Sequence, residues 1–161
     1  MSATDPPSFA DIIVAGAQPA HCDPALGAQA LAVSVAAVSS REVDRLNVYR
    51  ASLVAMRRAV CGLRVEPGHV LVDAHTIPDL DLPQTAIVGG DGLDGSIAAA
   101  SIVAKVHRDE WMVRLAQRYP GYGFERHKGY GTREHLAALD RLGPTPVHRR
   151  SFGPVGQLGL W

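Results

Sequence analysis

Apolar positions along the chain alternate in some stretches and recur with helical spacing in others. Ala30 to Val38 (Ala-Leu-Ala-Val-Ser-Val-Ala-Ala-Val) reads as a strand that puts Val33 and Val35 on one face. Upstream, Ile12-Ile13-Val14 predicts a shorter strand, and Pro19 and Pro24 restrict regular structure after it. Ser39-Ser40-Arg41-Glu42 fits a capping box, with Ser39 at the N-cap and Glu42 three residues later. A helix, in one piece or two, is expected from there to about Leu63, with Gly62 and Pro67 marking its end.

Val70-Leu71-Val72-Asp73 is a short apolar run that ends in a carboxylate, as expected of a buried strand that delivers an acid to a sheet edge. Thr85 to Val88 predicts a second such strand, closed by Gly89-Gly90-Asp91. From Ser96 to Arg118 there is neither glycine nor proline, and Ile97, Val103, Val106, Val113 and Leu115 argue for a long helix. Glycines and a proline break the segment from Tyr119 to Tyr130, which is expected to be loop. Thr132 is placed to cap a last helix with Leu136, Leu139 and Leu142 as its stripe, stopped by Gly143-Pro144. Strands alternating with helices indicate an α/β fold.

A length of 161 residues suggests one domain with a core of ordinary size. Hydrophobic residues make up 47% and charged residues 20%, a globular and not a disordered composition. No apolar run approaches the roughly 18 residues of a membrane helix. The start, Met1-Ser2-Ala3-Thr4-Asp5-Pro6-Pro7, has neither the basic nor the apolar region of an export signal. Cys22 and Cys61 are too few for a disulfide framework or a zinc site, and are expected as reduced thiols in a cytosolic protein. Sixteen Lys and Arg balance sixteen Asp and Glu, which is not the overall charge of a typical nucleic-acid binder. Two clusters, Arg126-His127-Lys128 and His148-Arg149-Arg150, remain open between a local basic surface and ordinary solvated faces.

Asp73 and Asp91 each follow a short apolar strand, and ligands of open α/β sheets collect beyond such strand ends. Two acids there repel each other unless a cation lies between them, and a hard divalent ion is the usual partner. The competing reading is that Asp73 caps a turn and that Gly90-Asp91-Gly92 only marks one.

Together these segments resemble bacterial ribonuclease HII. Val70-Leu71-Val72-Asp73 and Val88-Gly89-Gly90-Asp91 are similar to the segments that carry the family's third and fourth metal-binding acids. Ser96-Ile97-Ala98-Ala99-Ala100-Ser101-Ile102-Val103-Ala104-Lys105-Val106-His107-Arg108-Asp109 looks like its signature helix. Tyr119-Pro120-Gly121-Tyr122-Gly123-Phe124 and His127-Lys128-Gly129-Tyr130 resemble its substrate loop, and His148-Arg149-Arg150-Ser151-Phe152 its C-terminal motif. Glu42-Val43-Asp44-Arg45-Leu46-Asn47 and Met56-Arg57-Arg58-Ala59-Val60 fit as well, so the likeness runs from about residue 29 to about 155.

This resemblance implies an RNase H-like α/β fold, N-terminally truncated, with a mixed sheet flanked by helices and a C-terminal helical part. It implies an endoribonuclease acting on RNA/DNA hybrids and on DNA with embedded ribonucleotides, through two Mg²⁺ or Mn²⁺ ions, leaving 3′-hydroxyl and 5′-phosphate ends. Asp73 and Asp91 would be catalytic metal ligands. Tyr130 would stack against the sugar at the RNA–DNA junction, and Lys128, Lys105, Arg108 and Arg149 would contact the substrate backbone. His75 and His127 are expected to be bystanders rather than bases.

The family's first two acids lie in an Asp-Glu-Val-Gly-Arg-Gly motif that reads the ribose 2′-hydroxyl, and an Asp-Ser-Lys-Lys stretch comes after it. Neither occurs in this sequence. Residues 1–28 are expected to be an atypical segment and a candidate for disorder, and residues 29–161 a partial ribonuclease HII domain. Gly89 and Ala74 stand where many members have Lys and Gly, both tolerable changes. Two Mg²⁺ ions bring a charge of +4, and Asp73 with Asp91 supply −2, so metal affinity and independent activity are expected to suffer. The strand at residues 30–38 is expected to lose its sheet neighbours, with residues 10–17 as a candidate substitute that lacks the acids. The alternatives are a non-catalytic nucleic-acid-binding remnant and a fragment that does not fold alone.

Overall fold

The computed structural model describes the backbone of residues 13–17 and residues 30–156 in full. The chain divides into two compact units, one holding residues 13–17, 30–37 and 52–106, the other residues 38–51 and 107–156.

The first unit contains the strands. β1 (Ile13–Ala17) pairs antiparallel with β2 (Ala32–Ala36), with Ala15 opposite Ser34. The substitute strand expected within residues 10–17 is thus the neighbour of β2, and the remainder of residues 1–28 lies outside the described residues. Val33 and Val35 do share a face, but it is the exposed one, and Ala32 on the opposite face is buried. Helix α2 (Val48–Cys61) explains the choice. Its C-terminal end comes so near that a Cβ on Gly62 would lie 2.6 Å from the Ser34 Oγ, leaving room for small side chains alone.

β3 (Val70–Asp73) and β4 (Gln84–Ile87) run parallel, with Asp73 beside Ile87. Their connection is a loop, not the helix usual in a parallel crossover. The Gln84 side chain holds it, accepting from the Ile77 amide at 2.7 Å and donating to the Ile77 carbonyl at 3.0 Å. Ile77 then packs with Val60, Val70 and Val72, so the loop closes the core under β3. Antiparallel and parallel pairings both occur, as a mixed α/β fold requires, but in two separate two-stranded sheets among the described residues.

The second unit is helical. Both halves of the capping box at Ser39 form: the Glu42 amide donates to Ser39 Oγ and the Ser39 amide to Glu42 Oε2 at 2.7 Å. α1 (Ser40–Leu46) stops at Asn47, whose φ of 67° is left-handed. The Asn47 side chain then accepts the Arg50 amide at 3.0 Å and starts α2, which is why the helix comes in two pieces.

α4 (Gly95–Arg118) fulfils the long-helix prediction and follows α3 (Gly90–Leu93). Its apolar stripe does not hold throughout: Ile97 and Leu115 are buried, whereas Val106 and Val113 are exposed.

The expected loop from Tyr119 to Tyr130 contains one short helix, α5 (Phe124–His127). α6 (Arg133–Leu142) is capped by Thr132 and ends at Gly143, as the sequence predicts. Its buried residues are His135, Ala138 and Leu139, while Leu142 of the expected leucine stripe is exposed. The stripe is turned because His135 stacks with core rings, edge-on to Phe124. Met112, Leu115, Tyr122, Phe124, Ala138, Leu139, Val147 and Val155 form the core, and Val155 comes from the last turn, α7 (Gly153–Gly156).

Candidate functional site

The two strand-terminal acids are joined through the backbone. Asp73 ends β3, and its Oδ1 accepts the Gly90 amide at 2.9 Å, across the β4 end. Gly89, with a left-handed φ of 68°, turns the chain out of β4 and into α3. Gly90 is buried, and a Cβ there would lie 2.6 Å from Ile97 Cδ1 and 3.5 Å from Asp73 Oδ1. The glycine pair thus permits the close approach that brings the segment bearing Asp91 to Asp73. Asp91 itself is exposed in the first turn of α3, and Asp73 is half-buried.

A third acid close in sequence, Asp94, has another task. Its Oδ1 accepts the Ser96 amide at 2.8 Å and the Ile97 amide at 3.1 Å, capping α4. The sequence pattern marks Gly89-Gly90-Asp91 as the close of a strand but singles out neither the Asp94 cap nor the bond that the Gly90 amide makes.

The helical unit holds the loop residues. Tyr130 is 63% exposed, so its ring is presented to solvent and not tucked into the core. Arg108 lies over it, with the guanidinium carbon 4.8 Å from the ring centroid. Arg108 Nη2 also donates to the Lys128 carbonyl at 3.1 Å, so this cation braces the loop that carries the ring. Lys128 has a left-handed φ of 50° and donates its ammonium to the Glu125 carbonyl at 2.7 Å. Arg149 sits with its guanidinium 6.0 Å from the Phe152 ring, and Lys105 is exposed on α4 in the strand-bearing unit. Of the two expected bystanders, His75 is exposed. His127 is buried, with Nε2 against the Tyr122 carbonyl at 2.7 Å and Nδ1 receiving the Gly129 amide at 3.2 Å.

Asp44 stands out in the sequence only as part of a motif, yet it anchors the other end of the chain. It accepts the backbone amides of Arg150 and Ser151 and the Ser151 hydroxyl. Burial pushes its carboxyl up, but the Ser151 hydroxyl, both amides and the Arg149 charge outweigh this and hold it below the ordinary aspartate value.

Among the described residues, no group of three His, Cys, Asp or Glu side chains could hold a metal ion. Two carboxylates do not make an all-protein cage. They do suit the sparse protein share of a Mg²⁺ site, which keeps waters and takes oxygen ligands from phosphates. No helix among the described residues is long and apolar enough to cross a membrane, and Cys61 is an exposed free thiol.

Known proteins similar to this chain agree with one another. The family model described as Ribonuclease HII matches residues 26–155. The ribonuclease HII of Acidovorax sp. (strain JS42) is 57% identical over 130 residues, covering 81% of this chain and 62% of that protein. The ribonuclease HII of Anaeromyxobacter sp. (strain Fw109-5) is 58% identical over 134 residues, covering 83% of this chain and 42% of that protein. The chain thus spans less than two thirds of the length of either relative. In fold it is similar to the crystal structure of the ribonuclease H2 from Pyrococcus horikoshii OT3, with a TM-score of 0.66 at 23% identity over 83% of this chain and 71% of that one.

Proposed function

Because this chain belongs to the ribonuclease HII family, we propose that it provides the third and fourth acids and the substrate loop of an endonuclease that hydrolyses RNA in RNA/DNA hybrids and at ribonucleotides embedded in DNA. The observation that carries this reading is the bond from the Gly90 amide to Asp73 Oδ1, which ties the Asp91 turn to the end of β3. Residues 29–161 act as a partial ribonuclease HII domain in the cytoplasm.

Asp73 and Asp91 would hold a divalent ion, Mg²⁺ or Mn²⁺, which when bound supplies charge neutralisation at the phosphoryl group and an activated water. The Gly90 amide fixes one Asp73 oxygen and so restricts the carboxylate's rotation. Tyr130 offers its exposed ring to a sugar, with Arg108 setting its orientation. Lys105, Lys128 and Arg149 contact phosphates, and cleavage leaves 3′-hydroxyl and 5′-phosphate ends.

The test is cleavage of a labelled DNA duplex carrying one ribonucleotide, in Mg²⁺ and in Mn²⁺. The double variant Asp73→Asn/Asp91→Asn is the control. Cutting 5′ of the ribonucleotide that vanishes in the control supports the reading. Cutting that survives the double substitution would remove these acids from the mechanism.

A second reading is a nucleic-acid-binding module without catalysis. It draws on the Arg108–Tyr130 arrangement, which lies wholly in the helical unit and needs neither carboxylate. Duplex binding in EDTA that depends on Tyr130, from a folded protein that does not cut, favours it.

A further inference from the structure

Three histidines, at 127, 135 and 148, are buried in the helical unit, and the catalytic reading uses none of them. Two form a continuous hydrogen-bonded line. The Thr145 amide donates to His148 Nδ1 at 2.9 Å. His148 Nε2 meets His135 Nε2 at 3.1 Å, and His135 Nδ1 meets the Tyr130 carbonyl at 2.9 Å.

Both ends of this line meet backbone groups that cannot change role, and at the His148 end the Thr145 hydroxyl, which can donate or accept, also lies 2.8 Å from Nδ1. A backbone amide only donates, so His148 Nδ1 is an acceptor and the proton of the neutral ring sits on Nε2. That proton points at His135 Nε2, which must accept. The His135 proton therefore sits on Nδ1, where a carbonyl oxygen that only accepts receives it. A proton added to His148 Nδ1 would face the Thr145 amide, and one added to His135 Nε2 would face the proton on His148 Nε2. Burial, and for His148 also its neighbour His135, favours the neutral rings, pushing His135 below the ordinary histidine value and His148 down to about 4.

We propose that His135 and His148 are positioning residues for Tyr130, a line of two tautomer-locked rings that carries the fixed Thr145 amide to the carbonyl of the substrate-loop tyrosine. The Tyr130 carbonyl also takes the Thr132 amide at 2.8 Å, and the Tyr130 amide donates to the His127 carbonyl at 2.9 Å. The backbone at Tyr130 is thus gripped from the core side while its ring stays exposed. His127 supports the arrangement from the flank, its ring stacked on His135 with centroids 4.5 Å apart and planes 14° from parallel. The effect on substrate rests on the proposed role of Tyr130 as a sugar platform; the line itself does not.

Histidine-selective ¹⁵N NMR on the 161-residue chain at neutral pH tests the line directly. His148 is expected with its proton on Nε2 and His135 with its proton on Nδ1. The opposite tautomer at either ring, or a charged ring, overturns the proposal.

Substitutions test the positioning. His135→Asn keeps a donor where Nδ1 stood, and His135→Leu keeps bulk without one. Amide exchange at Gly131 and Thr132 is expected to stay near wild type in the Asn variant and to rise about fivefold in the Leu variant, the size of one lost neutral hydrogen bond. Equal exchange in the two variants overturns the proposal, and the wild-type tautomers decide it if the Leu variant does not fold.

Binding of a fluorescein-labelled DNA duplex with one ribonucleotide separates the two readings. His135→Leu is expected to weaken binding about fivefold in the wild-type background and to add nothing to Tyr130→Ala. Equal loss in both backgrounds overturns positioning through Tyr130. Wild-type binding by Tyr130→Ala itself sinks the substrate role instead, and leaves the line to be judged by the tautomers and the exchange.

Discussion

The carboxylate of Asp44 receives the Ser151 hydroxyl at 2.6 Å, joining two positions 107 residues apart in the chain. The same carboxylate takes the amides of Arg150 and Ser151, each at 2.9 Å, so one side chain in α1 fixes the loop between His148 and α7. Asp44→Ala should destabilise the protein by about 1–2 kcal/mol, the partly exposed setting keeping the figure low. Asp44→Asn, which can still accept, should lose less. Because the folded carboxyl is depressed, its contribution is present above pH 3.8 and fades as pH falls below that value. Urea denaturation of both variants at neutral pH checks the order, and an undiminished midpoint for Asp44→Ala would contradict it.

Gly90 touches both Asp73 and Ile97, which leads to a paired substitution. Gly90→Ala should cost about 1–2 kcal/mol, because the new methyl meets Ile97 Cδ1 in a packed interior. Ile97→Val removes that methyl, so the double variant should regain part of the loss. A double-mutant cycle by thermal or urea unfolding measures the coupling. Additive costs would show that the strain lies elsewhere.

Legibility in the sequence tracks the range of each interaction. The caps at Ser39 and Thr132, the stop at Gly143 and the acid at the end of β3 are local, and the sequence predicts each of them. The inward faces were harder. Val33 and Val35 alternate as a buried pair would, yet Gly62 occupies the space beside the other face. The contacts of Asp44 with Ser151 and of His135 with His148 come from chain segments that only folding brings together, and no periodicity announces them. For the candidate site, the strand pattern points to Asp73 and Asp91 and the resemblance adds Tyr130, whereas the Arg108 brace and the Gly90 amide bond depend on contacts that only the fold creates.

Acid should weaken this fold earlier than its carboxylates alone would. With His148 held near 4, the unfolded chain takes up a proton at ordinary histidine pH while the folded chain does not. Stability is therefore complete above about pH 6.5 and falls as pH drops toward 4, by roughly 2 kcal/mol between pH 6.5 and 5. His135, depressed in the same direction, adds to the slope. Urea midpoints across this range test it. His148→Gln should flatten the profile, and an unchanged slope in that variant would assign the effect to other groups.

Arg149 lies against Phe152 and beside Asp44, at the chain's second basic cluster. If it contacts a phosphate, Arg149→Gln should lower the slope of log K against log salt by about 0.9. The preference for a ribonucleotide-containing duplex over an all-DNA duplex should remain, because a phosphate contact carries no sugar information. Anisotropy titrations at several salt concentrations give both quantities. An unchanged slope would return Arg149 to a purely structural role.

The buried rings also bear on how chemical labelling of this protein is to be interpreted. Diethyl pyrocarbonate acylates imidazole nitrogens that solvent can reach. His127, His135 and His148 turn theirs toward backbone groups and one another inside the core. The reagent should mark the exposed His69, His75 and His107 first. Inactivation by it would report a modified surface, and the three enclosed rings would react only as the fold opens.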